Sequence, residues 1–226
     1  MYFDSTILLL LPGLILGLWA QSRVKSAYAQ YSKVFTQRGL PASAAVEELL
    51  RLQGVSDIAI QPVAGELTDH FDPKTDTLRL SEGVYGSSSV AAVGIAAHEA
   101  GHALQKKDNY PFLALRTFLV PAVNIGSNLA WPIFFLGILF SFEPLMTAGI
   151  VCFGLAVLFS LITLPVEFDA SRRAMAMLAG SGYLTQEEEK GVKTVLTAAA
   201  MTYVASFISA LMQLLRLVLI SNRRRR

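Results

Sequence analysis

The sequence predicts a mainly α-helical integral membrane protein: about four membrane-associated helices with a small α+β region between the first two. Three observations carry that prediction. Of the 226 residues, 53% are apolar and only 16% charged. Uncharged apolar stretches long enough to cross a bilayer recur along the chain. The segment between the first two has strand and turn signals, then a helix bearing His98-Glu99-Ala100-Gly101-His102.

Residues 5–22 carry no charge and barely reach spanning length. No basic region precedes them and they end in Trp19-Ala20-Gln21-Ser22-Arg23, so 1–22 reads as a retained anchor and not a cleaved signal peptide. Residues 23–116 are the water-exposed catalytic region. Within it, 27–54 has helical spacing, with Val34, Ala42, Ala45, Val46, Leu49 and Leu50 on one stripe. Gly39-Leu40-Pro41-Ala42-Ser43 divides that stretch into two helices. Residues 55–66 alternate, and Pro62 confines any strand there to a sheet edge. Asp72-Pro73-Lys74-Thr75-Asp76 is turn chemistry, and Thr77-Leu78-Arg79-Leu80 alternates as a half-buried strand does. The resulting β-hairpin could offer an edge strand to an extended peptide. Residues 87–97 open on serines suited to capping and continue as small apolar residues; Gly94 and Gly101 allow close backbone approach.

Residues 117–142 and 145–166 are uncharged and joined by Phe142-Glu143-Pro144, a transmembrane helical hairpin over 117–166. Asn124, Ser127 and Asn128 give its first arm a polar stripe, read most simply as interhelical hydrogen bonding. Residues 167–193 hold a helix over 168–178, and 194–226 a membrane-associated helix with a basic tail. Arg216, in the last turns of the apolar stretch 194–215, leaves a full crossing there open.

A net charge of +2 gives nucleic-acid binding no support. Cys152 is the single cysteine, so no disulfide forms within one chain. No acidic or basic residue lies mid-span, which leaves an ion or proton relay without a carrier. There is no visible repeat, and oligomeric state is not legible.

Histidine is scarce, with three in the chain, and two of them stand four apart in the His-Glu-x-x-His motif. On a helix, positions i and i+4 share a face, so both imidazoles can meet one metal. Zinc suits imidazole nitrogens, and Glu99 beside it is placed to take a proton from metal-bound water. A catalytic zinc needs a third protein ligand. His70, Glu167 and Asp169 are the candidates, the acidic pair lying directly after an apolar run. His70 reads equally as a hydrogen-bond donor to the transition state, a metal ligand or a turn histidine, and Tyr85 is another possible oxyanion donor.

Three segments resemble the bacterial membrane-bound neutral zinc metallopeptidases of the YugP type. They are Asp69-His70-Phe71-Asp72-Pro73-Lys74 through Leu80-Ser81-Glu82-Gly83-Val84-Tyr85, then Ala96-Ala97-His98-Glu99-Ala100-Gly101-His102-Ala103-Leu104-Gln105, and Leu164-Pro165-Val166-Glu167-Phe168-Asp169-Ala170-Ser171-Arg172-Arg173. The order of two histidines and a distant glutamate is similar to that of the gluzincins. The resemblance implies a zincin-like catalytic region holding one zinc on His98, His102 and Glu167, with Glu99 as catalytic base. Related membrane enzymes often carry an aspartate four residues after the ligand glutamate. Here that position is Ser171, and Asp169 is only two residues on, which leaves the partners of the ligand histidines unassigned.

The expected function is therefore a membrane-anchored zinc endopeptidase acting on membrane-associated protein or peptide chains. The alternative is a non-proteolytic membrane adaptor with a structural zinc, which His70 would close as fourth ligand. Arg23, Lys25, Lys106, Lys107, Arg116, Arg172 and Arg173 flank the site side, so the excess of positive charge favours a cytoplasmic active site, against which the basic tail 223–226 stands.

Overall fold

The computed structural model describes residues 5–224. The first four residues of the anchor and the last two arginines of the tail lie outside them. A 3-10 stretch, Ser5–Leu10, leads into α1 (Leu11–Tyr31), followed by α2 (Ala42–Leu52), β1 (Ala59–Val63), β2 (His70–Asp72), β3 (Thr77–Ser81) and the short α3 (Glu82–Tyr85). Then come α4 (Val90–Lys107), α5 (Pro111–Leu139), α6 (Glu143–Gly180) and α7 (Gln186–Arg224). Among the described residues, four helices are long and apolar enough to cross a membrane: Thr6–Tyr31, Pro111–Leu139, Glu143–Gly180 and Gln186–Arg223. The chain is thus mainly α, with a three-stranded sheet.

Two compact units emerge. One comprises Met1–Ala20, Ala114–Pro165 and Thr202–Arg226, the other Gln21–Leu113 and Val166–Met201.

In the second unit the sheet order is β1-β3-β2, with β1 parallel and β2 antiparallel to β3. Pro62 sits in the edge strand β1, where a missing N–H breaks no ladder. β3 departs from the half-buried strand its alternation predicts. It is central, and Thr77, Leu78, Leu80 and Ser81 are all buried because neighbours flank it on both edges and helices cover it. The turn between β2 and β3 is closed by Asp72, whose carboxylate accepts from the Lys74 N–H (2.9 Å) and the Thr75 hydroxyl (2.8 Å). Those bonds hold its pKa down at about 2. Lys106, at the end of α4, donates to the Pro73 carbonyl (2.5 Å) and Asp76 (2.6 Å), tying that turn to the motif helix.

The core of this unit joins α2, β3, α4, α6 and α7. Ala42, Ala45, Val46, Leu49 and Leu50 form the buried stripe of α2. Val34 does not belong to it: α1 ends at Tyr31, and Val34 lies in a bend just beyond, 43% exposed, its carbonyl accepting from the Val90 N–H. Ser89 caps α4, its hydroxyl accepting from the Ala92 N–H at 3.2 Å. α7 starts well before the apolar run 194–215, because Thr185 and Glu188 form a reciprocal capping box (2.8 and 3.3 Å). α6 is likewise continuous from the apolar run through the residues read as a separate helix over 168–178.

In the first unit, α5 and α6 pack through glycines. A Cβ on Gly149 would lie 2.7–2.9 Å from Phe134 and the Ala130 carbonyl, and one on Gly137 would lie 2.5 Å from the Met146 nitrogen. Phe134, Met146 and Leu217 fill the small core beside them. We therefore expect Gly149→Val to force the hairpin apart and cost about 1–3 kcal/mol, the range for overpacking. A thermal-unfolding midpoint in detergent equal to that of the wild type would refute this close packing.

Candidate metal centre

α4 carries five alanines, Ala92, Ala96, Ala97, Ala100 and Ala103, buried in the core of the second unit. Small side chains let the helix lie deep, and Gly101 lets it lie deeper still. A Cβ there would come within 2.4 Å of the Ala170 carbonyl oxygen on α6. This approach brings the two motif histidines to the carboxylate of Glu167. His98 Nε2 lies 3.2 Å and His102 Nε2 3.5 Å from the same oxygen, Oε2 of Glu167. One donor atom from each residue falls within 4.8 Å of the others, the only such group of metal-binding side chains among the described residues. His70 and Asp169 are not part of it.

The separations suit zinc. With metal–donor bonds of about 2.0–2.1 Å, the edges of a tetrahedron measure about 3.3 Å. Two imidazoles with one carboxylate favour zinc over magnesium or calcium, which take oxygen donors. Three protein donors leave the fourth vertex to water or substrate, as catalytic sites require.

Each imidazole is oriented through its other nitrogen. His98 Nδ1 lies 3.1 Å from the Ser171 hydroxyl, one turn past Glu167 on the same face of α6. His102 Nδ1 lies 3.0 Å from Gln105 Oε1. The Gln105 amide nitrogen donates to the Val166 carbonyl at 2.7 Å and to Asp169 Oδ2 at 3.0 Å. Both of those partners only accept, so the amide oxygen must face His102, and His102 Nδ1 carries the hydrogen. That tautomer leaves the Nε2 lone pair for a metal. Asp169 is held in turn by Arg172 and by Arg173 (2.6 Å), and Arg173 reaches Asp108 beyond the end of α4. Burial lowers the pKa of His102, but the bond to Glu167 and the charges of Glu99 and Glu167 outweigh it and raise the pKa above the ordinary histidine value. A metal entering this centre displaces that proton.

The sequence-predicted residues separate clearly. Glu99 is buried beside the three candidate donors, and its Oε2 accepts from the Phe71 N–H of β2 at 3.0 Å. His70 is exposed on β2, with Nδ1 2.8 Å from the Thr68 carbonyl. Tyr85 lines a different cavity, of ≈ 220 Å³, with Ser43, Ala44, Glu47, Ile58 and Ile60. Gln105 is the residue that sequence reasoning missed; its signal was its place three residues after His102, on the ligand face of α4.

Comparison with known proteins agrees with this centre. A family model described as "Putative neutral zinc metallopeptidase" matches residues 6–222. A curated Bacillus subtilis (strain 168) protein, "Putative membrane protease YugP", is 44% identical over 214 residues, 95% of each chain. No solved structure matches significantly.

Gln105→Ala removes the acceptor of His102 and leaves Asp169 without its amide donor. We expect zinc affinity to fall about 10–100-fold, the usual cost of losing such a partner. Chelator competition measures the affinity, and a value unchanged from wild type would show that Gln105 does not hold His102 in place.

Proposed function

The chain belongs to the neutral zinc metallopeptidase family, and on that premise we propose that it is a membrane-anchored zinc endopeptidase with Glu99 as its general base. The observation that best supports this is the bond from the Phe71 N–H to Glu99, beside a cluster of three metal donors. One carboxylate oxygen of Glu99 is fixed by the backbone of β2. The other is left to accept a proton from an attacking water and to deliver it to the leaving amine. Bound to His98, His102 and Glu167, zinc would polarise the scissile carbonyl and acidify that water.

β2 lies at the edge of the sheet, and its Phe71 N–H points away from β3 toward the base. In a strand the N–H and C=O of one residue point to the same side. The Phe71 carbonyl therefore faces outward as well, where an extended peptide can donate to it with no demand on peptide sequence. His70, the neighbouring residue, directs Nδ1 at the Thr68 carbonyl, which only accepts. A neutral His70 then has only an accepting Nε2, so it serves a developing oxyanion only as the imidazolium.

A closed structural zinc site, the adaptor alternative, draws no support: the group of donors has three members among the described residues, and His70 is not one. We also infer that the metal centre faces the cytoplasm, from Lys106, Lys107, Arg116, Arg172 and Arg173 at the flanks of the apolar segments. A cysteine placed at the exposed Lys74, in a Cys152→Ser background, should react with a membrane-impermeant maleimide only after cells are opened. Labelling of intact cells would reverse the orientation.

The decisive assay compares the detergent-purified wild type with Glu99→Gln at matched zinc content, on an unfolded protein substrate. Cleavage by the wild type, reduced by about 10²–10⁴-fold in the variant, is the expected result. Absence of cleavage by either protein, with zinc fully bound, would sink the proposal.

A further inference from the structure

α5 presents two different faces. Val123, Ala130 and Phe134 are buried, and Gly126 and Gly137 pack closely on α6 on that side. The other face is exposed and carries Phe118 (78% exposed), Ile125 (64%) and Phe135 (62%) together with Asn124 and Asn128. Lipid chains can cover the apolar members of this face, but they cannot pair with an amide. The two asparagines stand four apart and so stack on one side of the helix. Asn128 is eleven residues into the uncharged run that begins at Thr117, about 16 Å along the axis and thus near the middle of a core about 30 Å thick. Neither side chain has a hydrogen-bond partner among the described residues. Pro132 sharpens the problem, since it lacks the N–H that would serve the Asn128 carbonyl in a regular helix.

We propose that this face of α5 is where two copies of the chain meet in the membrane, through a ladder of Asn124 and Asn128 amides. A primary amide offers both donor hydrogens and an acceptor oxygen, so identical amides satisfy each other across a two-fold axis. A ladder of two such positions fixes the register of the pair, and asparagine is a known adhesive between helices in lipid. The bulky apolar residues around the amides suit helix contact and not a wetted groove, and the opposite face is already occupied by α6. This inference stands apart from the peptidase reading.

The test uses the full chain in native membranes, with Cys152→Ser as background and single reporter cysteines. Ile125→Cys, on the proposed contact, should form a disulfide-linked dimer on mild oxidation. Leu158→Cys, exposed on α6, should not. Adding Asn124→Leu and Asn128→Leu should lower the Ile125→Cys cross-link, and the self-association read by light scattering in mild detergent, by at least about tenfold. Leucine is at home in lipid, and an unchanged zinc content would confirm that the double variant folds. A chain that is monomeric in detergent and uncross-linked in membranes overturns the proposal. So does a double variant that dimerises as well as its parent, or an Ile125→Cys adduct formed only with a different membrane protein.

Discussion

A Cβ at Gly101 would lie 2.4 Å from the Ala170 carbonyl oxygen, so α4 and α6 meet backbone to backbone between the two motif histidines. Every distance in the metal centre depends on that contact. Two imidazoles from α4 and one carboxylate from α6 must converge on a point about 2 Å from each donor. Side chains of ordinary size between the helices would hold their axes 8–10 Å apart and carry Glu167 away from that point. Glycine at 101 and alanines at 96, 97, 100 and 103 remove the obstruction. The sequence between His98 and His102 thus serves the geometry as much as the histidines themselves do.

Close packing creates a second demand, because it takes polar groups out of water. Glu99, His102, Gln105, Glu167 and Asp169 are all buried. A buried polar group is costly unless hydrogen-bonded, and each of these has a partner: Phe71 for Glu99, Gln105 for His102, the histidines for Glu167, the arginines for Asp169. Ser171 completes the set at His98. Where a carboxylate commonly supports a ligand histidine directly, here an amide stands between His102 and Asp169, and a hydroxyl stands at His98. The negative charge is one bond further out and is matched by Arg172 and Arg173. The groups that orient the histidines are therefore themselves uncharged.

How much of this was legible in the sequence follows from the range of each interaction. The helix that carries the motif, the cap of α4, the edge position of Pro62 and the apolar helices are local patterns, and they read correctly. Glu167 was one of several candidates by spacing and was singled out by resemblance, since 65 residues separate it from His102; the packing of α4 on α6 brings the two to 3.5 Å, as a candidate third donor. Gln105 was invisible for a related reason: its role depends on acceptors on another helix, Val166 and Asp169. Val34 and β3 misread because periodicity registers polarity and not context. Val34 matches a stripe that α1 ends too early to extend. β3 alternates, yet lies between two strands and beneath helices, where position decides burial.

α6 is one helix, Glu143–Gly180, and it carries Glu167 and Ser171 directly after the uncharged run 145–166. The two residues stand one turn apart, about 6 Å along the axis, on the same face of the helix. That face presents a carboxylate to both imidazoles and a hydroxyl to His98 Nδ1. One stretch of helical backbone therefore sets both side chains, and a slide of α6 along α4 would move them together. Ala170 lies between them in the chain, and its backbone contact with Gly101 opposes any such slide.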